Sequence, residues 1–249
     1  MLTISRLRSG AVFVVSLAVA ACGDGTPGVA ETAKQKATPA PVVATSAKWV
    51  ETVAKTPEGG YRIGNPDAPV KLIEFASLTC PHCKDFHEEA LSTIKGKYVA
   101  TGQVSYEFRN FILNPADYAA TMLARCASPE AYFALSDAMF RAQAQWLEPF
   151  TKIDNATAER LSKLPPDEQI VEYAKTGKLD EFMRARGMPE AKFRACLTDA
   201  RQRGELEAIS KSARETFKIA GTPSFVINGE MQENVFNWES LQPKLDAAL

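Results

Sequence analysis

Histidine is scarce in this chain. There are two among 249 residues, beside three tryptophans and five cysteines. A closed zinc site wants four ligands. Cys80, Cys83 and His87 are close together, but no fourth ligand stands near them in sequence, so neither a metal nor another cofactor is expected. Long hydrophobic runs are also missing. The apolar stretch at 11–21 is too short to span a bilayer. Nor does charge of one sign dominate, with 29 basic residues against 30 acidic. No basic stripe appears, which argues against nucleic acid as a main partner. Internal repeats are absent, and the length suits one large domain or two small ones.

The N-terminus reads as an address. Arg6 and Arg8 precede the apolar run, a secretory signal pattern. The run ends in Val19-Ala20-Ala21-Cys22, which resembles the lipobox of bacterial lipoproteins. That resemblance implies cleavage before Cys22 and a lipid on its sulfur. The other reading is an ordinary signal peptide, with Ala18 and Ala20 placed for a conventional cut. Residues 1–21 are thus expected to be a signal segment. Residues 22–47, rich in Ala, Thr, Pro, Gly and Lys, are expected to be a flexible tether. Export places the remaining cysteines in an oxidising space, where disulfides persist.

From Lys48 the pattern changes. Trp49 to Val53 alternates and predicts a first strand. Turn residues follow at 57–60 and 64–69. The run Val70-Lys71-Leu72-Ile73-Glu74-Phe75-Ala76 predicts a buried strand. A helix to about Val99 comes next, with Phe86, Ala90, Leu91 and Ile94 apolar, and then a strand at 103–108. Strand, helix, strand implies parallel pairing. After Asn114 the chain reads as helical for about ninety residues, one helix ending near Trp146. Another runs from near Pro189 to Phe217, with a break expected at Gly204. Strand chemistry returns at Ser224 to Ile227 with an Asn228-Gly229 turn, a strong hairpin signal. A helix at 237–249 closes the chain.

The motif Cys80-Pro81-His82-Cys83 sits where the buried strand ends and the helix begins. A pair so spaced can switch between dithiol and disulfide. The attacking species is the thiolate, and a helix N-terminus favours negative charge. Pro81 suits the first helical position. His82 adds positive charge or a hydrogen-bond donor beside the sulfur. Stabilising the Cys80 thiolate stabilises the reduced form and makes the disulfide a better oxidant.

These residues, with Gly221-Thr222-Pro223-Ser224-Phe225-Val226-Ile227-Asn228-Gly229 far downstream, resemble the DsbA family of thioredoxin-fold proteins. The resemblance covers about residues 48–249. It implies an α/β fold: a thioredoxin domain from 48–113 and 206–249, with an all-helical domain inserted at 114–205. It implies protein thiols as substrate. Cys80 matches the exposed nucleophile and Cys83 the buried resolving cysteine. Pro223 matches a cis-proline facing the pair, leaving the Thr222 backbone free to pair with an extended substrate. Glu74 matches a buried acid that accepts the proton of Cys83. Threonine before the proline is shared by isomerase-type and oxidase-type relatives.

The expected activity is exchange of the Cys80–Cys83 disulfide with cysteines of exported proteins, mainly as an oxidant. The expected place is the bacterial periplasm, with the membrane reached through a lipid on Cys22 and a membrane redox partner recycling the pair. Two alternatives stand beside it: an isomerase or reductase of the same fold, and a membrane-tethered thiol- or metal-binding module. Cys126 and Cys196 have three readings: a structural disulfide, two buried thiols or a second redox pair. The oxidising compartment favours the first. His87 is expected on a solvated helix face.

Overall fold

The computed structural model describes residues 46–249. The expected signal segment, Cys22 and nearly all of the expected tether lie outside the described residues.

Six strands form one sheet: β1 (Val53–Lys55), β2 (Tyr61–Ile63), β3 (Val70–Ala76), β4 (Val104–Asn110), β5 (Ser224–Ile227) and β6 (Glu230–Met231). Their order is β1-β2-β4-β3-β5-β6. β3 and β4 are parallel, with Leu72 opposite Tyr106 and Glu74 opposite Phe108. The other neighbours are antiparallel. A parallel pair needs a crossover. Helix α2 (Pro81–Thr93) supplies it, continued by a wider π turn at Ile94–Val99. β4 is buried at every position, as a central strand covered on both faces must be.

The first strand starts later than its alternation suggests. Ser46–Trp49 forms a short helix, α1. Thr52 Oγ1 donates to the Lys48 carbonyl at 2.8 Å, and the Thr52 N–H returns to Trp49. These turn bonds occupy the backbone groups that a strand partner would need, so pairing begins with Val53 opposite Ile63.

Between β4 and β5 the chain is helical: α3 (Pro115–Ala124), α4 (Pro129–Arg141), α5 (Gln143–Thr151), α6 (Asn155–Ser162), α7 (Pro166–Thr176), α8 (Leu179–Arg184), α9 (Glu190–Leu197) and α10 (Ala200–Glu215). The helix expected to end near Trp146 is two, divided at Ala142. The helix expected from Pro189 to Phe217 also divides, at Thr198 and not at Gly204. Asp199 caps α10 by accepting from the Gln202 N–H, and Gly204 lies inside the helix. α10 crosses the boundary expected between residues 205 and 206, so one helix carries the chain from the insertion back to the sheet.

Asn228 (φ 51°) and Gly229 (φ 88°) make the two-residue turn between β5 and β6, both in the left-handed region as a type I′ turn requires. Helix α11 (Trp238–Ala247) closes the chain, with Asn237 as its cap. The insertion is bound to the sheet by specific contacts. Tyr61 of β2 stacks on Tyr132 of α4, centroids 3.6 Å apart and planes 7° apart. Arg125, following α3, donates to the Gly59 carbonyl at 2.8 Å and to Asn110 Oδ1 at 3.2 Å. Cys126, two residues beyond α3, is disulfide-bonded to Cys196 of α9, with Cα atoms 5.8 Å apart.

Candidate active site

The turn between β3 and α2 is built largely by side chains from elsewhere. Ser77 Oγ accepts from the Thr79 N–H at 3.1 Å, and Asn114 Nδ2 donates to Thr79 Oγ1 at 2.9 Å. Asp117 of α3 accepts from the N–H of Leu78 and of Leu113, both at 3.0 Å. Gln143, the first residue of α5, donates through Nε2 to the carbonyls of Leu78 (2.9 Å) and Cys80 (3.0 Å). Buried backbone polar groups need such partners, and here the insertion supplies them.

Cys80 is the N-cap of α2, and Pro81 takes the first helical position. The Cys80 sulfur accepts from the Cys83 N–H at 3.4 Å, an arrangement normally made by a serine or aspartate oxygen. Opposite lies the loop before β5. The Thr222–Pro223 bond is cis, and the Thr222 carbonyl is 3.3 Å from the Cys80 sulfur. Phe86 of α2 packs on Phe225 of β5, centroids 4.6 Å apart, and fixes the two halves together. Both rings are buried, each contributing roughly 1.5–3 kcal/mol.

The two thiols are free and differ in acidity. Cys80 is lowered to about 6, chiefly by the hydrogen bond from the Cys83 thiol. Burial opposes this, and the Thr222 side chain and the N–H groups of Cys83 and His82 reinforce it. Cys83 is raised well above its ordinary value, first by burial, then by the hydrogen bond it gives to Cys80, then by the negative field of Glu74. At neutral pH one sulfur is ionised and the other holds its proton. Cys80 is not the exposed sulfur that the resemblance implies. It is 5% exposed because the Thr222 loop faces it across the helix end. His82 is exposed, and its backbone N–H acts on the sulfur.

Glu74 is fully buried on β3. Its Oε2 accepts a short hydrogen bond from Tyr106 Oη, and His87 Nε2 lies 3.1 Å away. His87 is therefore not on a solvated face. It is 4% exposed, one helical turn after Cys83. The buried stripe of α2 is Cys83, Phe86, His87, Ala90 and Leu91, a helical spacing that includes position 87. Sequence reasoning also missed Tyr106, Asp117 and Gln143. Among the described residues no three metal-ligating side chains converge. No helix there is long and apolar enough to cross a membrane.

Comparison with known proteins agrees with this architecture. The family model described as Thioredoxin matches residues 56–247. A crystal structure of protein-disulfide isomerase from Novosphingobium aromaticivorans is 33% identical, with a TM-score of 0.71 over 75% of this chain and 95% of that one. The α-DsbA1 of Wolbachia pipientis shares the fold at 23% identity, with a TM-score of 0.60 over 78% of this chain and 92% of its own. A Rickettsia bellii protein, provisionally named a protein-disulfide oxidoreductase, is 28% identical over 90% of this chain and 74% of its own length.

Proposed function

We propose, from the premise that this chain belongs to the thioredoxin family and is a DsbA-like thiol–disulfide oxidoreductase, that it works outside the cytoplasm as an oxidant of exported proteins. The observation that carries the direction is the setting of Cys80, whose sulfur takes hydrogen bonds from the Cys83 thiol and from backbone N–H groups at a helix start. These donors favour the thiolate, hence the reduced pair, hence a disulfide that readily accepts electrons.

A substrate thiolate attacks the Cys80 sulfur. The Cys80–Cys83 bond breaks, Cys83 leaves with the electron pair, and Glu74 returns a proton to it. A second substrate thiolate then attacks the substrate sulfur of the mixed disulfide. Cys80 departs as a thiolate, made a good leaving group by its low pKa. Two electrons have passed to the pair, and a membrane redox partner removes them. The Thr222 backbone aligns the extended substrate beside Cys80. The export pattern in the first 22 residues supports a periplasmic location, with Cys22 as the lipid site.

A Cys83→Ala variant should hold exported proteins as mixed disulfides on Cys80. A trap that stays empty in cells would sink the reading. Equilibration with glutathione sets the direction. An oxidising pair supports the oxidant; a strongly reducing one supports the isomerase or reductase, an activity that the Novosphingobium protein's name carries.

A further inference from the structure

His87 has no part in the exchange so far described, yet it is built into the floor of the site. Glu74 Oε2 is shared by Tyr106 Oη and His87 Nε2, and those two atoms are 3.3 Å apart. The other carboxyl oxygen, Oε1, and the other ring nitrogen, Nδ1, are buried without a hydrogen-bond partner. Unpaired buried polar atoms are costly and uncommon in folded proteins. Two of them in one three-residue group point to a use.

We propose that His87 stores the proton of Cys83, releasing it through Glu74 when the disulfide opens and recovering it when the disulfide closes. This rests on the exchange reading above. When the sulfur–sulfur bond breaks, Cys83 leaves as a thiolate. One proton moves from His87 Nε2 to the Glu74 carboxyl, and one from that carboxyl to the Cys83 sulfur. Glu74 ends as it began, His87 ends neutral and Cys83 ends as a thiol. Oε1 is the carboxyl's open position for the sulfur's proton. Closure reverses each transfer.

Three features favour His87 over its neighbours. Tyr106 is fully buried, and burial with the adjacent carboxylate raises it well above its ordinary value, so it remains a fixed donor. Imidazole is the side chain whose ordinary titration falls near neutral pH. In the oxidised form a charged ring beside the buried carboxylate leaves the pair neutral overall. The surroundings are otherwise apolar. The ring packs on Phe140 of α4 (4.4 Å), Phe108 of β4 (5.5 Å) and Phe86 of its own helix (6.0 Å). The titratable groups around it are Glu74 from β3, Tyr106 from β4 and Cys83 from α2, with Tyr132 of α4 beside Tyr106. His87 is thus a positioning residue acting through Glu74.

The test has two arms on the full chain. Histidine NMR is simple because there are two rings, and His82 is assigned by substitution. At neutral pH the His87 ring should be charged in the oxidised protein and neutral in the reduced one. In the second arm the pair is equilibrated with glutathione over a range of pH. After glutathione's own pH dependence is taken off, the potential of the wild-type pair should depend on pH less steeply than that of His87→Gln, which keeps a donor for Glu74 but does not titrate. The difference should be about tenfold per pH unit, the effect of one proton. A His87 ring in one protonation state in both redox forms would overturn the proposal, as would equal slopes. If His87→Gln does not fold, the NMR arm decides alone. A wild type that fails to equilibrate with glutathione overturns the exchange reading itself.

Discussion

The sulfur of Cys80 lies 3.3 Å from the carbonyl oxygen of Thr222, 142 positions further along the chain. The thiol donates to that carbonyl. The thiolate instead collects donors, and the Thr222 hydroxyl, buried and otherwise unpartnered, is one of them.

Alkylation of the reduced protein by iodoacetamide should therefore rise with a midpoint at about pH 6, and Cys83 should stay unmodified at neutral pH. Thr222→Val keeps the carbonyl and loses the hydroxyl, so its midpoint should move up. Mass mapping of the two cysteines across pH checks both statements. A midpoint near that of a free thiol would show that the donors do not act on the sulfur.

Asp117 makes a different prediction. Burial raises its carboxyl from 3.8 to about 6, against the hydrogen bonds it accepts from Ser77, Leu113, Leu78 and Thr121. The folded state favours the protonated form. That contribution is present below the ordinary value and is lost as pH rises through about 6. Relative to Asp117→Asn, which does not titrate, wild type should lose stability between pH 4 and pH 7. The loss over that window should be about 2 kcal/mol, somewhat less than the full shift at roughly 1.4 kcal/mol per pKa unit, because pH 4 already lies above the unfolded value. Urea unfolding of both proteins at the two pH values measures it, and parallel behaviour would count against a buried carboxylate.

The Cys126–Cys196 bond closes a loop with a sequence separation of 70. Replacing both residues with serine should lower unfolding stability by about 2–4 kcal/mol, the usual range for such bridges. The alkylation midpoint of Cys80 should not move, because its donors are Cys83, Thr222 and His82 rather than the bridge. A shifted midpoint would show that the second disulfide reaches the first pair.

What the sequence disclosed was local. A strand, a Pro-containing helix start and an Asn-Gly turn each carry their signal within a few residues, so β3, α2 and the β5–β6 hairpin were readable. Glu74 was readable as a carboxyl in an apolar run. Trp49 to Val53 misled because five alternating residues serve a turn as well as a strand. His87 misled because a polar side chain inside an apolar stripe is ordinarily solvated, and its partner Glu74 comes from another element. Asp117 and Gln143 were invisible for a related reason. They bond to backbone groups of a turn far away in sequence, and such bonds impose no pattern on neighbouring residues.

Gln143 has a consequence for anyone who would shrink this protein. Its amide reaches the carbonyls of Leu78 and Cys80 from a helix more than sixty residues away. A minimal version that joined β4 directly to β5 would keep both cysteines, the sheet and Pro223. It would also strip the cap from the two carbonyls on which the nucleophile's turn hangs. The helices are therefore part of the instrument rather than its casing, and their removal should blunt the reactive sulfur before it unravels the sheet.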